Sequence, residues 1–190
     1  MLQAELDLLV MAFQQGDKKA LSVLYQHFQR DLLRFALWQV QGQPVAADLV
    51  QNVWLKVIKR VHRLEDPAVF TSWLYRAVRW EVLDWQKQAN QRLTELLAEP
   101  ELLQAPLLPE DDFADCLSGF NAEDQLLVRL FYQHELAQQD IALILQIPAG
   151  TVKSRLYRIR QQLAAHMSTS SEPDTPAEPT NQRGEQHERR

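Results

Sequence analysis

Apolar residues recur at three- and four-residue spacing along most of this chain. Over residues 6–13 and 20–38 this spacing predicts two amphipathic helices, with Asp17 between them as the N-cap of the second. A third helix is predicted over residues 46–61 and a fourth after Asp66-Pro67. Further apolar positions over residues 113–133 predict the first helices of a second domain. The pattern therefore predicts an all-α protein.

Residues 138–163 are predicted to form two short helices that meet at a tight turn. Ile141, Ile144 and Leu145 share one face of the first helix, and the turn is placed at residues 147–150, where Pro148 and Gly150 interrupt the pattern. The second helix has an apolar stripe, formed by Val152, Leu156, Ile159 and Leu163, and basic residues outside it, namely Lys153, Arg155, Arg158 and Arg160. This is the helix-turn-helix arrangement, whose second helix lies in the major groove of DNA. From the charge pattern alone, the alternative is a solvated basic helix packed in an all-helical domain.

Charge is unevenly distributed, although the whole chain has a net charge of -5. Residues 94–115 contain seven acidic residues and no Lys or Arg, and the segment from Met167 contains five acids against three arginines. The remaining segments are net basic, which suits contact with nucleic acid. The first of these acidic segments also contains three prolines and is predicted to be a solvated connector. The polar C-terminal segment is predicted to be a disordered tail.

No arrangement of residues in the sequence predicts catalysis. Its histidines have no metal-binding spacing, and the single Cys116 provides neither an internal disulfide nor a thiolate cluster; the histidines are His27, His62, His134, His166 and His187. No apolar run reaches the ~20 residues that span a bilayer, and the acidic start of the chain is unlike a signal peptide. We therefore expect a cytoplasmic, non-enzymatic protein with no cofactor, metal site, small-molecule substrate or membrane insertion.

The helix-turn-helix segment resembles a known family. Residues 150–156, Gly-Thr-Val-Lys-Ser-Arg-Leu, are similar to the -35-reading helix of sigma-70 family transcription initiation factors, especially the extracytoplasmic-function branch. The resemblance implies a set of -35 DNA contacts at Thr151, Lys153, Ser154, Arg155 and Arg158. Within it, Arg155 is predicted to read guanine through its planar fork, and Lys153 and Arg158 are predicted to bind phosphates.

A second motif lies in the third predicted helix. Asp48, Gln51 and Trp54 match the family's helix that docks on a coiled coil of the largest subunits of core RNA polymerase, and Asn52 stands where the family usually has Glu or Asp. The resemblance implies that these four residues bind core polymerase. The alternative is a helix surface with incidental polar residues.

A third motif covers residues 70–87, which combine three tryptophans and a tyrosine with basic residues. Aromatic rings stack on unpaired bases and cations follow the backbone of single-stranded DNA. The segment resembles the family's -10 promoter-melting region, with Trp80 in place of a common Asn, and implies -10 contacts at Arg76, Arg79, Trp80 and Lys87. Trp73 and Leu74 are predicted to be core residues.

The resemblance covers roughly residues 7–163 and implies two small helical domains joined by an acidic linker. We place the domains at residues 1–90 and 113–166, the linker at 91–112 and a tail at 167–190. Where the family usually has Gly-x-Ser before the helix-turn-helix and Gly in the turn, this chain has residues 134–137 and Gln146. The missing Ser cap and a left-handed Gln should each cost on the order of 1 kcal/mol.

The expected function is that of a sigma factor, which binds core RNA polymerase and directs promoter-specific transcription initiation. Its expected partners are core polymerase, promoter DNA and, where one exists, an anti-sigma factor. One alternative is a helix-turn-helix regulator that has an unrelated N-terminal sensor domain and binds duplex DNA without polymerase. The other is a polymerase-interaction protein that never melts DNA.

Overall fold

The computed structural model describes residues 1–96 and 114–169, and every regular element in those ranges is helical. The helices are α1 (Gln3–Gln14), α2 (Lys18–Gln39), α3 (Val45–Arg60), α4 (Phe70–Leu96), α5 (Ala114–Leu117), α6 (Ala122–Val128), α7 (Gln138–Leu145) and α8 (Ala149–Thr169). Two 3₁₀ turns, Val61–Arg63 and Pro67–Val69, join α3 to α4, and a π-helical turn at Arg129–Gln133 follows α6. Of the predicted linker, only residues 91–96 are described, and they continue α4. The predicted tail lies outside the described residues beyond Thr169.

Helices α1 to α4 pack together around a shared apolar core. Leu24, Leu32, Phe35, Phe70 and Leu74 are among its most completely buried side chains. Asp17 caps α2 as predicted, because its Oδ1 accepts a hydrogen bond from the backbone N–H of Lys19 at 2.7 Å. The helical period of the apolar residues therefore identifies the core face of each helix in this half of the chain.

The helix-turn-helix consists of α7 and α8, which pack on α6 and on the π-helical turn. Ile141 and Ile144 of α7 and Val152, Leu156 and Ile159 of α8 are buried. The turn differs from the sequence prediction in one respect, since Gly150 lies inside α8. The left-handed residue is Gln146, as expected, with φ 57° and ψ 41°. Gln146 ends α7 in the conformation usually left to Gly.

Candidate nucleic-acid interface

The outward face of α8 is polar and basic because its apolar stripe is committed to the core. Lys153, Ser154 and Arg158 are exposed, and Thr151 is half-buried at the start of the helix. Tyr157 lies on the same face as Lys153 and Ser154 and is 62% exposed. Tyr157 is absent from the predicted -35 contacts, although its position four residues after Lys153 and three after Ser154 places it on their side of the helix.

Two acids of α6 hold the arginines of α8. Arg155 Nη1 donates to Glu123 Oε2 at 2.9 Å, and Arg158 Nη2 donates to Asp124 Oδ2 at 2.7 Å. Glu123 is exposed, whereas Asp124 is 3% exposed. Asp124 also accepts a hydrogen bond from the Asn121 side chain, and Asn121 in turn caps α6. Arg158 therefore compensates a buried carboxylate, in addition to facing solvent.

The predicted -10 residues follow one face of α4, and they differ in exposure. Trp80 is 60% exposed and Lys87 is exposed, whereas Arg76 and Arg79 are half-buried. Burial lowers the pKa of Arg79, and the nearby carboxylate of Glu123 acts in the opposite direction. Leu83, also exposed, lies between Trp80 and Lys87 on this face and was missed by the sequence analysis.

The other tryptophans of this segment are packed against the protein. Leu74 is completely buried and Trp73 packs against the core, its ring centroid 6.1 Å from that of Phe70, as predicted. Trp85 also packs against the core. Trp80 is therefore the tryptophan of α4 whose ring is available to a ligand.

The predicted polymerase-binding residues are divided between the surface and the core. Asp48, Gln51 and Asn52 are exposed on α3. Trp54 differs from the expectation, because it is only 4% exposed, donates its indole N–H to Gln29 Oε1 at 2.8 Å and has its ring centroid 5.2 Å from that of Tyr25. Its ring therefore packs beneath the exposed polar residues, and a surface pocket that Tyr25 and Ile58 also line reaches it. Leu55 and Ile58, which the sequence analysis did not include, are the exposed apolar neighbours of the three polar residues.

The aromatic face of α4 adjoins the end of α7. A cleft of about 300 Å³ lies between them, lined by Arg79, Trp80 and Lys87 on one side and by Ile144, Leu145 and Gln146 on the other. Two cations and an exposed ring at one cleft suit a single strand of nucleic acid, since the ring can stack on a base while the cations meet phosphates. Among the described helices, none is long and apolar enough to cross a membrane.

Comparison with known families accounts for both halves of the chain. Residues 24–92 match the family model described as Sigma-70 region 2, and residues 110–163 match the model described as Sigma-70, region 4. The chain belongs to the sigma-70 family. It falls in the extracytoplasmic-function branch, which several of its relatives represent, and its two helical domains correspond to regions 2 and 4. The region 2 match excludes a helix-turn-helix regulator with an unrelated N-terminal domain.

Similar proteins agree with this assignment along most of the chain. The ECF RNA polymerase sigma-E factor of Haemophilus influenzae is 25% identical over 178 residues, which cover 82% of this chain and 91% of that protein. The ECF RNA polymerase sigma factor SigM of Bacillus subtilis is 24% identical over 151 residues, covering 75% and 91% respectively.

Two solved structures share the fold. CnrH, solved in complex with the cytosolic domain of CnrY, matches with a TM-score of 0.62 and 18% identity over 87% of this chain and 99% of that chain. The sigma factor RpoE of Bartonella quintana, solved with the anti-sigma factor NepR, matches with a TM-score of 0.58 and 22% identity over 79% and 98%. The protein is thus a sigma factor, which directs promoter-specific transcription initiation and is not an enzyme.

Proposed function

We propose that this sigma factor has two domains with different binding functions, at residues 1–90 and 113–166. The first binds core RNA polymerase through α3 and captures one strand of the melted -10 element on α4. The second places α8 in the major groove of the -35 element. Both domains act by binding and positioning polymerase and DNA, and neither contributes a chemically reacting group.

The observation that carries the proposal is the exposure of Trp80 on a basic helix face. Burying a tryptophan is strongly favourable, so a ring left 60% exposed beside Arg79 and Lys87 is free to stack on an unpaired base. A sigma factor that only tethered polymerase to duplex DNA would have no use for such a ring. Strand capture on α4 therefore distinguishes a sigma factor that opens promoters from a protein that only binds polymerase.

The polymerase-binding part of the proposal rests on Asp48, Gln51 and Asn52. Their exposed side chains lie on the outer face of α3, above the buried Trp54. Leu55 and Ile58 add exposed apolar area next to them. A polar patch with apolar neighbours is the composition expected of a helix that docks on another protein.

The -35 part of the proposal rests on the outward face of α8. Lys153, Ser154 and Tyr157 are exposed there, and Arg155 lies at the edge of that face. The N-terminal turn of α8 offers backbone N–H groups to phosphate, and the side chains just beyond it reach base edges. We assign base readout to Arg155 and phosphate contacts to Lys153 and Arg158.

Location and regulation follow from these partners. Because core polymerase and promoter DNA are its partners, we propose that the protein acts in the cytoplasm. The titles of the two similar structures name complexes with CnrY and with the anti-sigma factor NepR. We include an anti-sigma factor among the partners of this chain on that basis.

The decisive experiment combines the purified protein with bacterial core polymerase and genomic DNA fragments. We expect specific transcripts, and permanganate-reactive thymines at the -10 element of the promoters that are used. Trp80→Ala should reduce opening by roughly 10-fold or more while duplex binding by the holoenzyme persists, since stacking contributes ~1–3 kcal/mol per base. Trp80→Tyr, which keeps an aromatic ring, is the matched control. Polymerase binding without any opened promoter would contradict the proposal.

A further inference from the structure

The cleft between α4 and the end of α7 has the dimensions of a small-molecule site. Its volume of about 300 Å³ lies at the lower end of the ~300–1,000 Å³ that ligand clefts occupy. Helix α4 forms one side, and the last residues of α7 form the other together with Gln146. A cleft of this volume suits a ligand of the size of a single nucleotide.

The apolar part of the cleft suits a planar aromatic ring. Trp80 is 60% exposed, so its indole can stack on one face of such a ring. Leu83, which is 47% exposed, and the half-buried Leu145 line the same cleft and offer aliphatic contacts. A base held between the two helices loses more of its apolar surface to the protein than a base on a single exposed ring would.

The charged side chains of the cleft suit a phosphate group and a sugar. Arg79 and Lys87 are two cations against the single carboxylate of Asp84, so the cleft attracts an anion. Arg79 is half-buried, and solvent therefore screens its attraction for phosphate less than that of a fully exposed cation. Asp84 accepts a hydrogen bond from the Gln88 side chain at 2.8 Å, and a carboxylate has the capacity to accept others, such as those of ribose hydroxyls. Together with the apolar contacts, these are the interactions that a nucleotide requires.

Gln146 indicates the class of base. It ends α7 in the left-handed conformation, which Gly adopts without strain and Gln does not, and its side chain lines the cleft. A carboxamide donates and accepts, and Gln pairs in this way with N6 and N7 of adenine. Guanine presents two acceptors at the same edge, which one carboxamide cannot satisfy. The cleft therefore favours adenine over guanine.

We propose that this cleft binds a free adenine nucleotide, whose base stacks on Trp80 and pairs with Gln146 while its phosphates meet Arg79 and Lys87. While the nucleotide is bound, the Trp80 ring is covered and cannot stack on a promoter base. This consequence rests on the proposed role of Trp80 in strand capture, whereas nucleotide binding itself does not depend on that role. Adenine nucleotides would therefore regulate the ring that the proposed function uses.

A free nucleotide and a DNA strand share their stacking chemistry, and Gln146 distinguishes them. Gln146 belongs to the helix-turn-helix and is not among the proposed -10 contacts. Its replacement should therefore change nucleotide binding and leave promoter opening intact. Gln146→Gly is the suitable variant, because glycine keeps the left-handed turn without strain and the fold is retained.

Isothermal titration of the free full-length protein with ATP, AMP, adenosine and GTP tests the proposal. At low salt and without magnesium, we expect ATP to bind at one site and AMP to bind roughly 3- to 10-fold more weakly, because AMP carries less charge. Adenosine should bind more weakly than AMP. GTP should bind roughly 10-fold more weakly than ATP, since Gln146 cannot satisfy two acceptors. The affinity for ATP should fall as salt increases.

Variants of the lining residues locate the site. Trp80→Ala should lower the affinity for ATP by roughly 10-fold or more, whereas Trp80→Tyr should retain most of it. Gln146→Gly should remove the preference for ATP over GTP. Lys87→Ala should weaken ATP binding by roughly 3- to 10-fold and leave adenosine binding unchanged. Lys19→Ala removes an exposed cation of α2 outside the cleft and is the matched control, which should bind ATP as the wild type does.

The outcomes separate this site from the proposed function. No binding of ATP to the wild type, or equal binding to Trp80→Ala, would overturn the nucleotide site even if the protein supports transcription. Equal affinities of the wild type for ATP and GTP would overturn the assignment of adenine. A wild type that binds ATP as expected but gives no specific transcription with core polymerase would support the nucleotide site and contradict the proposed function.

Discussion

Arg155 and Arg158 lie one helical turn apart on α8, and α6 holds each of them differently. The partner of Arg155 is an exposed glutamate, so this arginine can exchange its carboxylate for DNA at little cost. The partner of Arg158 is the buried Asp124, whose charge needs compensation whether or not DNA is present. We therefore expect the two arginines to differ in their contribution to the stability of the second domain as well as in DNA recognition.

The first prediction compares alanine variants of these two arginines. Arg155→Ala should cost ~1–3 kcal/mol of -35 affinity and relax the preference at one base position, with little effect on unfolding. Arg158→Ala should weaken all sequences alike and lower the salt slope by about one. It should also destabilise the second domain by roughly 1–3 kcal/mol, less than for a fully buried pair because the Arg158 side chain is itself half-exposed.

Holoenzyme affinities on a panel of -35 variants at several salt concentrations, together with urea unfolding, measure both effects. Arg158→Ala combined with Asp124→Asn should regain stability without regaining DNA affinity. An unchanged unfolding curve for Arg158→Ala would show that the ion pair has no structural role. Uniform loss of affinity in both single variants would mean that Arg155 only positions the protein.

At the scale of the element, α3 presents one face to the core and another to solvent. The second prediction is that Asp48→Arg with Gln51→Ala weakens association with core polymerase by ~10-fold or more, because each polar contact to a charged partner contributes ~1.5–3 kcal/mol. Both side chains are exposed, so the fold should remain intact. Co-purification with core enzyme gives the affinity, and Glu65→Arg, an exposed charge reversal outside α3, is the control. Undiminished co-purification would rule out this face.

Both ends of α7 have residues that stabilise a helix terminus less than the usual capping residues do. No side chain caps the N-terminus at Ala137, and Gln146 is left-handed at the C-terminus. The third prediction is that Ala137→Ser and Gln146→Gly each stabilise the second domain by ~1 kcal/mol. Thermal unfolding measures the gain. Gln139→Gly within α7 should instead lose ~1 kcal/mol, so a gain there would contradict the conformational explanation.

Across the whole molecule, the contact between the two domains contains a titratable group, His134, whose ring lies between those of Phe35 and Tyr75. Burial lowers the pKa of His134 to about 4, Asp31 opposes this change, and Arg34 and Arg129 add to it. Tyr75 is the hydrogen-bonding neighbour, and burial raises its pKa further from neutrality. Since the packing of the two domains disfavours protonation of His134, the packed arrangement keeps its full stability above the ordinary histidine pKa of ~6.5. That stability falls as the pH drops from there towards 4.

The fourth prediction is that the equilibrium between packed and separated domains shifts about 10-fold towards separation between pH 7.5 and 5.5, as linkage requires for this change in pKa. Energy transfer between dyes on Leu8→Cys and Cys116, both exposed, reports the separation of the domains. His134→Gln should remove the shift. Asp140 acts in the opposite direction, because its raised pKa makes protonation favour the packed arrangement. An equal shift in His134→Gln would assign the pH dependence to other groups.

The composition of the two proposed DNA-binding faces could be predicted only in part. The positions of Arg76, Arg79, Trp80 and Lys87 follow from motif resemblance, whereas their exposure depends on which side of α4 the other helices cover. Trp54 and Trp80 show the difference, since both are tryptophans in matched motifs but one packs beneath its helix and the other faces solvent. Tyr157 and Leu83 could have been found by helical spacing from Lys153 and Lys87.

By itself the sequence determined the helical class, the helices that form each domain, the Asp17 cap, the left-handed Gln146 and the sigma-70 family. These features are local, because helical period, capping and motif spacing act over a few residues. Only the tertiary structure showed that Arg158 compensates a buried Asp124, that His134 lies between Phe35 and Tyr75, and that Glu123 pairs with Arg155. Such contacts join residues far apart in the chain, and their energies depend on burial and distance, which no local pattern encodes.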